Sequence, residues 1–258
     1  MATLIQRLQR HPFPVVAHFE RVVAVSFAFP EALLHPLLPA PLVLDTYEGW
    51  GFVTVALVWT RGLRPVFLPP FLGQNFFLAG YRIFARLTDS DGRRLRGLKI
   101  LRSETDQARM VWSGNLLTHY NYRRVLVDEQ RNGHRWQVRT RRPDGATTLD
   151  VSFDTEMEAA APPAGSPFAD WHAARRFAGP MPFTFDDEGD GRFVIIEGSR
   201  ADWTPRPIAV ERCEVALFQE PPFREAMPLL ANAFAVENVA YRWARGRVVT
   251  PGNTGSHD

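Results

Sequence analysis

Strand spacing dominates the apolar and polar pattern of this chain of 258 residues. In HFERVVAVSFAF, alternation puts Phe19, Val23, Val25, Phe27 and Phe29 on one face and sets Arg21 among them. An arginine on an apolar face needs a partner or a ligand. PEALLHPLLP reads as a short helical turn between prolines, and LVLDTY and WGFVTVALVWT as strands; the second is apolar on both faces and therefore central. NFFLAGYRIFARLT and RGLKILRSE flank TDSDGRR, where Asp91-Gly92 predicts a hairpin.

Ser103 and Asp106 have capping-box spacing, which predicts a helix from about Glu104 through Met110, Val111, Leu116 and Leu117. YRRVLVDEQ and HRWQVRTR pair around Arg131-Asn132-Gly133, and TTLDVSFDTEME completes a three-stranded meander. APPAGSP punctuates the chain, and Ser166-Pro167 reads as the start of a helix through Arg176. Strand RFVIIEGS, strand PIAVERCEVALFQ, helix FREAMPLLANAF and strand VENVAYRWARGRV follow. The expectation is one mainly β (α+β) domain over residues 1–250, antiparallel with a few short helices, and a disordered tail over 251–258.

Composition changes this picture little. The formal net charge is +2, so nucleic-acid binding is not implied. Arg135, Arg139 and Arg141 share one parity and read as a solvated strand face. No apolar run is long enough for a membrane-spanning helix, and the N-terminus lacks a secretory pattern. Cys213 is the only cysteine, so a reducing cytoplasm is the expected compartment. A homo-oligomer is compatible with all of this.

Familiar catalytic motifs are missing: no G-x-S-x-G, Walker loop, H-E-x-x-H or C-x-x-C occurs. DDEGDG lacks the ligand spacing of a calcium loop and reads as a solvated hairpin turn. The seven histidines are scattered, so neither a metal nor a cofactor is expected. His119, in LLTHYNYRR, is the candidate general acid or base. The chain carries 29 arginines and a single lysine, Lys99. A lysine can become a Schiff-base nucleophile where burial or a neighbouring cation lowers its pKa, which arginine cannot do.

Several segments together resemble the domain of unknown function 2071 family, within the acetoacetate decarboxylase-like superfamily. They are LLHPLLPAPLVLDTYEGWGFV, PPFLGQNFFLAGYRIFARL with GLKILRSETD, GNLLTHYNY, and SPFADWHAARRFAGPMPFTF. The resemblance implies an antiparallel β-barrel or cone around a small-molecule cavity. It further implies a Schiff-base lysine beside a second lysine, an arginine that meets the substrate carboxylate, and an assisting glutamate. Lys99 and Arg21 fall in the comparable regions. The second lysine is absent, since Ile100 follows Lys99, and WTRGLRPVFLPPFLG offers no acid.

Two expectations follow. In one, the protein is a lyase acting on a keto acid, with Lys99, Glu104 and His119 catalytic and Arg21, Arg82 and Tyr120 binding substrate. In the other, it is a non-catalytic barrel that binds a small molecule in an aromatic cavity.

Overall fold

Residues 4–157, 159–179 and 181–251 are described by the structure, a computed structural model. Helices α1 (Leu4–Leu8) and α2 (Glu31–Leu34) accompany strands β1 (Val15–Pro30), β2 (Val43–Leu44), β3 (Trp50–Pro65), β4 (Gln74–Thr88) and β5 (Arg94–Thr105). Helix α3 (Ala108–Leu117) leads into β6 (Tyr122–Arg124), β7 (Leu126–Asn132), β8 (Arg135–Arg141) and β9 (Thr147–Asp154). After α4 (Trp171–Phe177) come β10 (Phe183–Gly189), β11 (Arg192–Arg200), β12 (Arg206–Pro207), β13 (Ala209–Val215), β14 (Leu229–Trp243) and β15 (Arg247–Val249).

The strands form two sheets. One has eleven strands, in the order β12-β14-β1-β3-β4-β5-β10-β11-β15, with β2 on β4 and β6 on β5. Strand β11 pairs with β14 as well as β10, so the path of pairing returns on itself. The expected antiparallel arrangement is met only in part, because β5 runs parallel to both β6 and β10. The other sheet is a meander of β7, β8 and β9, as expected, with β13 added as its fourth strand.

Strands β1, β3 and β4 are apolar on both faces because each face has a separate task. One face carries Val23, Val25, Phe27, Val53, Val55, Leu57 and Ile83 against Val138, Leu149, Val151 and Phe153 of the small sheet. Fully burying such a side chain contributes roughly 1.5–3 kcal/mol, so this seam dominates the stability of the fold. The other face lines an internal chamber. A bulge against β3 between Phe19 and Arg21 decides which residues go where. It sends Phe19 to the chamber face with Val22, Ala56 and Val58, while Arg21 joins the seam side. Simple alternation had put Phe19 and Arg21 together; one extra residue reverses the facing.

Five local expectations are corrected in whole or in part. Strand β5 continues through Glu104 because Leu78, Ala79 and Gly80 pair with Thr105, Glu104 and Ser103. Asp106 then accepts from the Phe77 backbone instead of capping a helix. Pro228 interrupts FREAMPLLANAF, and Leu229 onward extends as β14 against β1. Helix α4 starts later than Ser166, with Asp170 accepting from the Ala173 amide at 2.7 Å, while Ser166 reaches the Ala231 carbonyl. LVLDTY yields only the two-residue β2. In DDEGDG the turn itself is present, but Asp186 is fully buried. The expected tail lies, apart from Pro251, outside the described residues. Among the described residues no helix is long and apolar enough to cross a membrane.

Asp45 fastens α4 to the large sheet. Its buried carboxylate accepts from Arg86 and Arg96, and Arg96 donates to the Phe177 carbonyl while stacking 4.5 Å from the Phe177 ring. Asp45→Ala is expected to cost about 2–3 kcal/mol in urea unfolding, below the roughly 3–5 kcal/mol of a fully buried pair because both arginines are partly solvated. Limited proteolysis should show faster cleavage around α4; an unchanged midpoint and cleavage pattern would refute this role.

Candidate functional site

The chamber has two lobes. One, of about 140 Å³, lies over Val22, Ala24, Ala56, Leu98 and Ile100. The other, of about 150 Å³, extends toward His11, Phe13 and Phe76. They meet at Arg82, Tyr120 and Tyr122. An outer recess of about 710 Å³, between α4 and the Trp203–Pro207 segment, shares Ala178, Gly179, Trp203 and Phe234 with the first lobe.

Arg82 is the centre of this space. It sits on β4 opposite Thr54, in a cross-strand row that continues to Ser26 and Asn232. It is half-buried and lines both lobes of the chamber. The side chain folds back along its own strand over Gly80; a Cβ there would come within 3.0 Å of the guanidinium. No carboxylate pairs with Arg82 among the described residues, and its Nε is buried without a hydrogen-bond partner. Burial lowers its pKa, against the opposing influence of Tyr241, Tyr122 and Tyr120. Arg200 also lines the first lobe, over Trp203 at 4.6 Å, and its pKa is lowered by burial too.

Two partly desolvated guanidiniums thus line one chamber with no carboxylate paired to either among the described residues, which leaves positive charge for an anion to meet. The tyrosines supply hydroxyl donors beside it. Burial raises the pKa of Tyr120, so its phenol keeps its proton; it lies beside Thr184 without completing a hydrogen bond.

The sequence-derived candidates divide among four places. Arg82 and Tyr120 meet at the junction of the lobes. Lys99 stands on the strand face of its partner Ile83, opposite to Leu98 and Ile100, which line the chamber. Its Nζ is 3.9 Å from Asp186 Oδ1, and the backbone of His119 approaches the same carboxylate. Glu104 lies between the sheets, where its Oε2 accepts from Tyr81 at 2.9 Å and from Thr148 at 2.8 Å; burial raises its pKa. Arg21 stacks 3.8 Å from Trp136 of the small sheet and binds Glu237. Arg176 borders the outer recess. Lys99, Glu104, His119 and Arg21 therefore share no pocket with Arg82.

Sequence reasoning missed Arg200, Tyr122 and Tyr241. Arg82 offered the clearer signal, since Leu78, Gly80, Arg82 and Phe84 form an alternating row that one charge interrupts. Among the described residues no group of three or more His, Cys, Asp or Glu side chains could hold a metal ion.

The fold is that of acetoacetate decarboxylase-like proteins. The structure is similar to acetoacetate decarboxylase from Legionella pneumophila subsp. pneumophila str. Philadelphia 1, with a TM-score of 0.62 and 10% identity over 93% of this chain and 88% of that one. It is also similar to the enduracididine biosynthesis enzyme MppR complexed with pyruvate, with a TM-score of 0.60 and 13% identity over 92% and 90%. An acetoacetate decarboxylase-like enzyme from Sphingomonas wittichii RW1 gives 0.56 and 13% over 93% and 91%. The chain belongs to the DUF2071 family, described as an uncharacterized conserved protein (COG2071), whose model matches residues 16–237. No curated protein matches it.

Asp186 gives the site region a pH signature. Burial raises its pKa above 3.8, with Lys99 and His119 opposing and Glu188 reinforcing the shift. The folded state therefore binds this proton more tightly than the unfolded chain, a contribution fully present below the unfolded value and lost as pH rises through the folded one. Urea midpoints measured from about pH 4 upward should show wild type losing stability relative to Asp186→Asn as pH rises. A constant difference would contradict the assignment.

Proposed function

We propose that this protein binds a small organic acid in the chamber, with the carboxylate held by Arg82 and assisted by the Tyr120 hydroxyl. The observation that carries the reading is the buried, acid-free environment of Arg82. Burying an unpaired charge is costly, and a bound carboxylate would offset that cost through charge-assisted hydrogen bonds. Arg200 adds a second positive charge on the same wall. The lobes of about 140 and 150 Å³ limit the occupant to a small molecule. Acetoacetate decarboxylase and the pyruvate complex of MppR make keto acids the first ligands to try.

This favours the binding-protein expectation over the Lys99-centred lyase. A carboxylate on Arg82 faces Leu98 and Ile100, whereas Lys99 leaves the other side of β5 toward Asp186. Borohydride reduction in the presence of keto acids is expected to leave Lys99 unmodified. An adduct found there by mass spectrometry, and absent from Lys99→Arg, would restore the Schiff-base reading.

Thermal shift with a panel of small carboxylates tests the site itself. Wild type should be stabilised, and Arg82→Met should lose the response through a drop in affinity of about 10- to 100-fold, the equivalent of about 1.5–3 kcal/mol for a hydrogen bond to a charged group. Without ligand, Arg82→Met should melt at the same or a higher temperature, because an apolar side chain of similar length removes the desolvated charge. A merely structural arginine predicts the opposite: a lower melting temperature and an intact ligand response.

A further inference from the structure

Four residues that line one lobe carry a buried polar atom without a hydrogen-bond partner among the described residues: Arg82 Nε, Tyr120 Oη, Thr60 Oγ1 and His11 Nδ1. Their placement is bipolar. The Arg82 head lies over Gly80, whose cross-strand neighbour on β3 is Ala56. Thr60 stands four positions further along β3, about 13 Å away at a rise of about 3.3 Å per residue. His11 belongs to that far end too, since the segment it opens enters β1 at Val15, opposite Pro65.

The lining is mainly apolar and largely aromatic, with Phe19, Val58, Phe76, Leu78 and Trp243, and Arg64, Gln74, Ser113 and Thr118 add polar groups to it. The lobe measures about 150 Å³. An apolar cavity of about 150 Å³ is large enough to admit a benzene ring. Polar groups at its far end without partners would be costly unless an occupant met them.

The chemistry of the far end specifies that occupant further. Burial lowers the His11 pKa to about 4, so the ring is neutral near pH 7, and the Ala244 backbone provides it with a hydrogen-bonding neighbour. A neutral imidazole keeps one nitrogen as an acceptor, and a threonine hydroxyl can donate. A group that both donates and accepts satisfies the pair; a phenolic hydroxyl does so.

We infer that the ligand is a hydroxylated aromatic carboxylic acid, its carboxylate on Arg82 and Tyr120, its ring among Phe19, Phe76 and Trp243, and its hydroxyl between His11 and Thr60. This rests on the Arg82 carboxylate site proposed above and adds the ring and the far hydroxyl.

Isothermal titration of 4-hydroxyphenylacetate, phenylacetate, 4-hydroxyphenylacetamide and butyrate into the full chain separates the two readings. The hydroxylated acid should bind about tenfold or more tightly than phenylacetate, as expected when a buried donor and acceptor are otherwise left unpaired. Thr60→Val should bring that ratio close to one while leaving phenylacetate binding intact. His11→Asn, which tolerates the left-handed backbone at φ 52°, should do the same. Equal binding of the two arylacetates by wild type, or an unaltered preference in both variants, overturns the inference. Butyrate binding that needs Arg82, with no gain from a ring, also overturns it and leaves the carboxylate site standing. An amide that binds as well as the acid refutes the carboxylate site itself.

Discussion

The apolar seam between the sheets is the contact on which the rest of the molecule depends. Because Val23, Val25, Val55, Leu57, Val151 and Phe153 fill that seam, the opposite faces of the same strands are free to enclose space. A single-layer sheet could not leave its inner face hollow without losing its main source of burial. The chamber is thus supported from behind by a packed layer, and Arg82 and Arg200 are held on strands β4 and β11 rather than on loops. That placement suits a site in which an arginine must stay in position without a protein carboxylate to anchor it.

Electrostatics divides the molecule in the same way. Several arginines elsewhere have carboxylate partners: Arg102 with Glu220, Arg139 with Asp150, Arg10 with Glu188, Arg86 and Arg96 with Asp45. Arg82 and Arg200 depart from that pattern, and both face the chamber. Buried charges in native proteins are ordinarily paired, so two such arginines on one chamber give it an excess of positive charge that no neighbouring carboxylate offsets.

Much of the architecture was legible in the sequence. The Asp91-Gly92 and Asn132-Gly133 turns, the two-sided apolar strand β3 and the meander all follow from local chemistry. The helix expected from Glu104 forms as α3 but starts at Ala108, because the capping-box pattern is local, whereas Glu104 is held in β5 by pairing to β4. Lys99 and Arg21 drew attention as chemical oddities within their own segments, yet each finds a protein partner from a distant one: Asp186, and Glu237 with Trp136. Arg82 was legible as a candidate, but its lack of a partner is a fact about every other strand and cannot be read from β4 alone.

The bulge beside Glu20 carries a consequence for comparing this chain with others. Positions on its two sides obey opposite parity rules, so an alignment that counts residues straight through it exchanges lining and packing positions at the start of β1. An arginine can then appear to occupy the ligand-facing place of a relative while its side chain lies against the indole of Trp136. For proteins of this architecture, equivalence in β1 is better judged by which sheet face a side chain leaves from than by its column number.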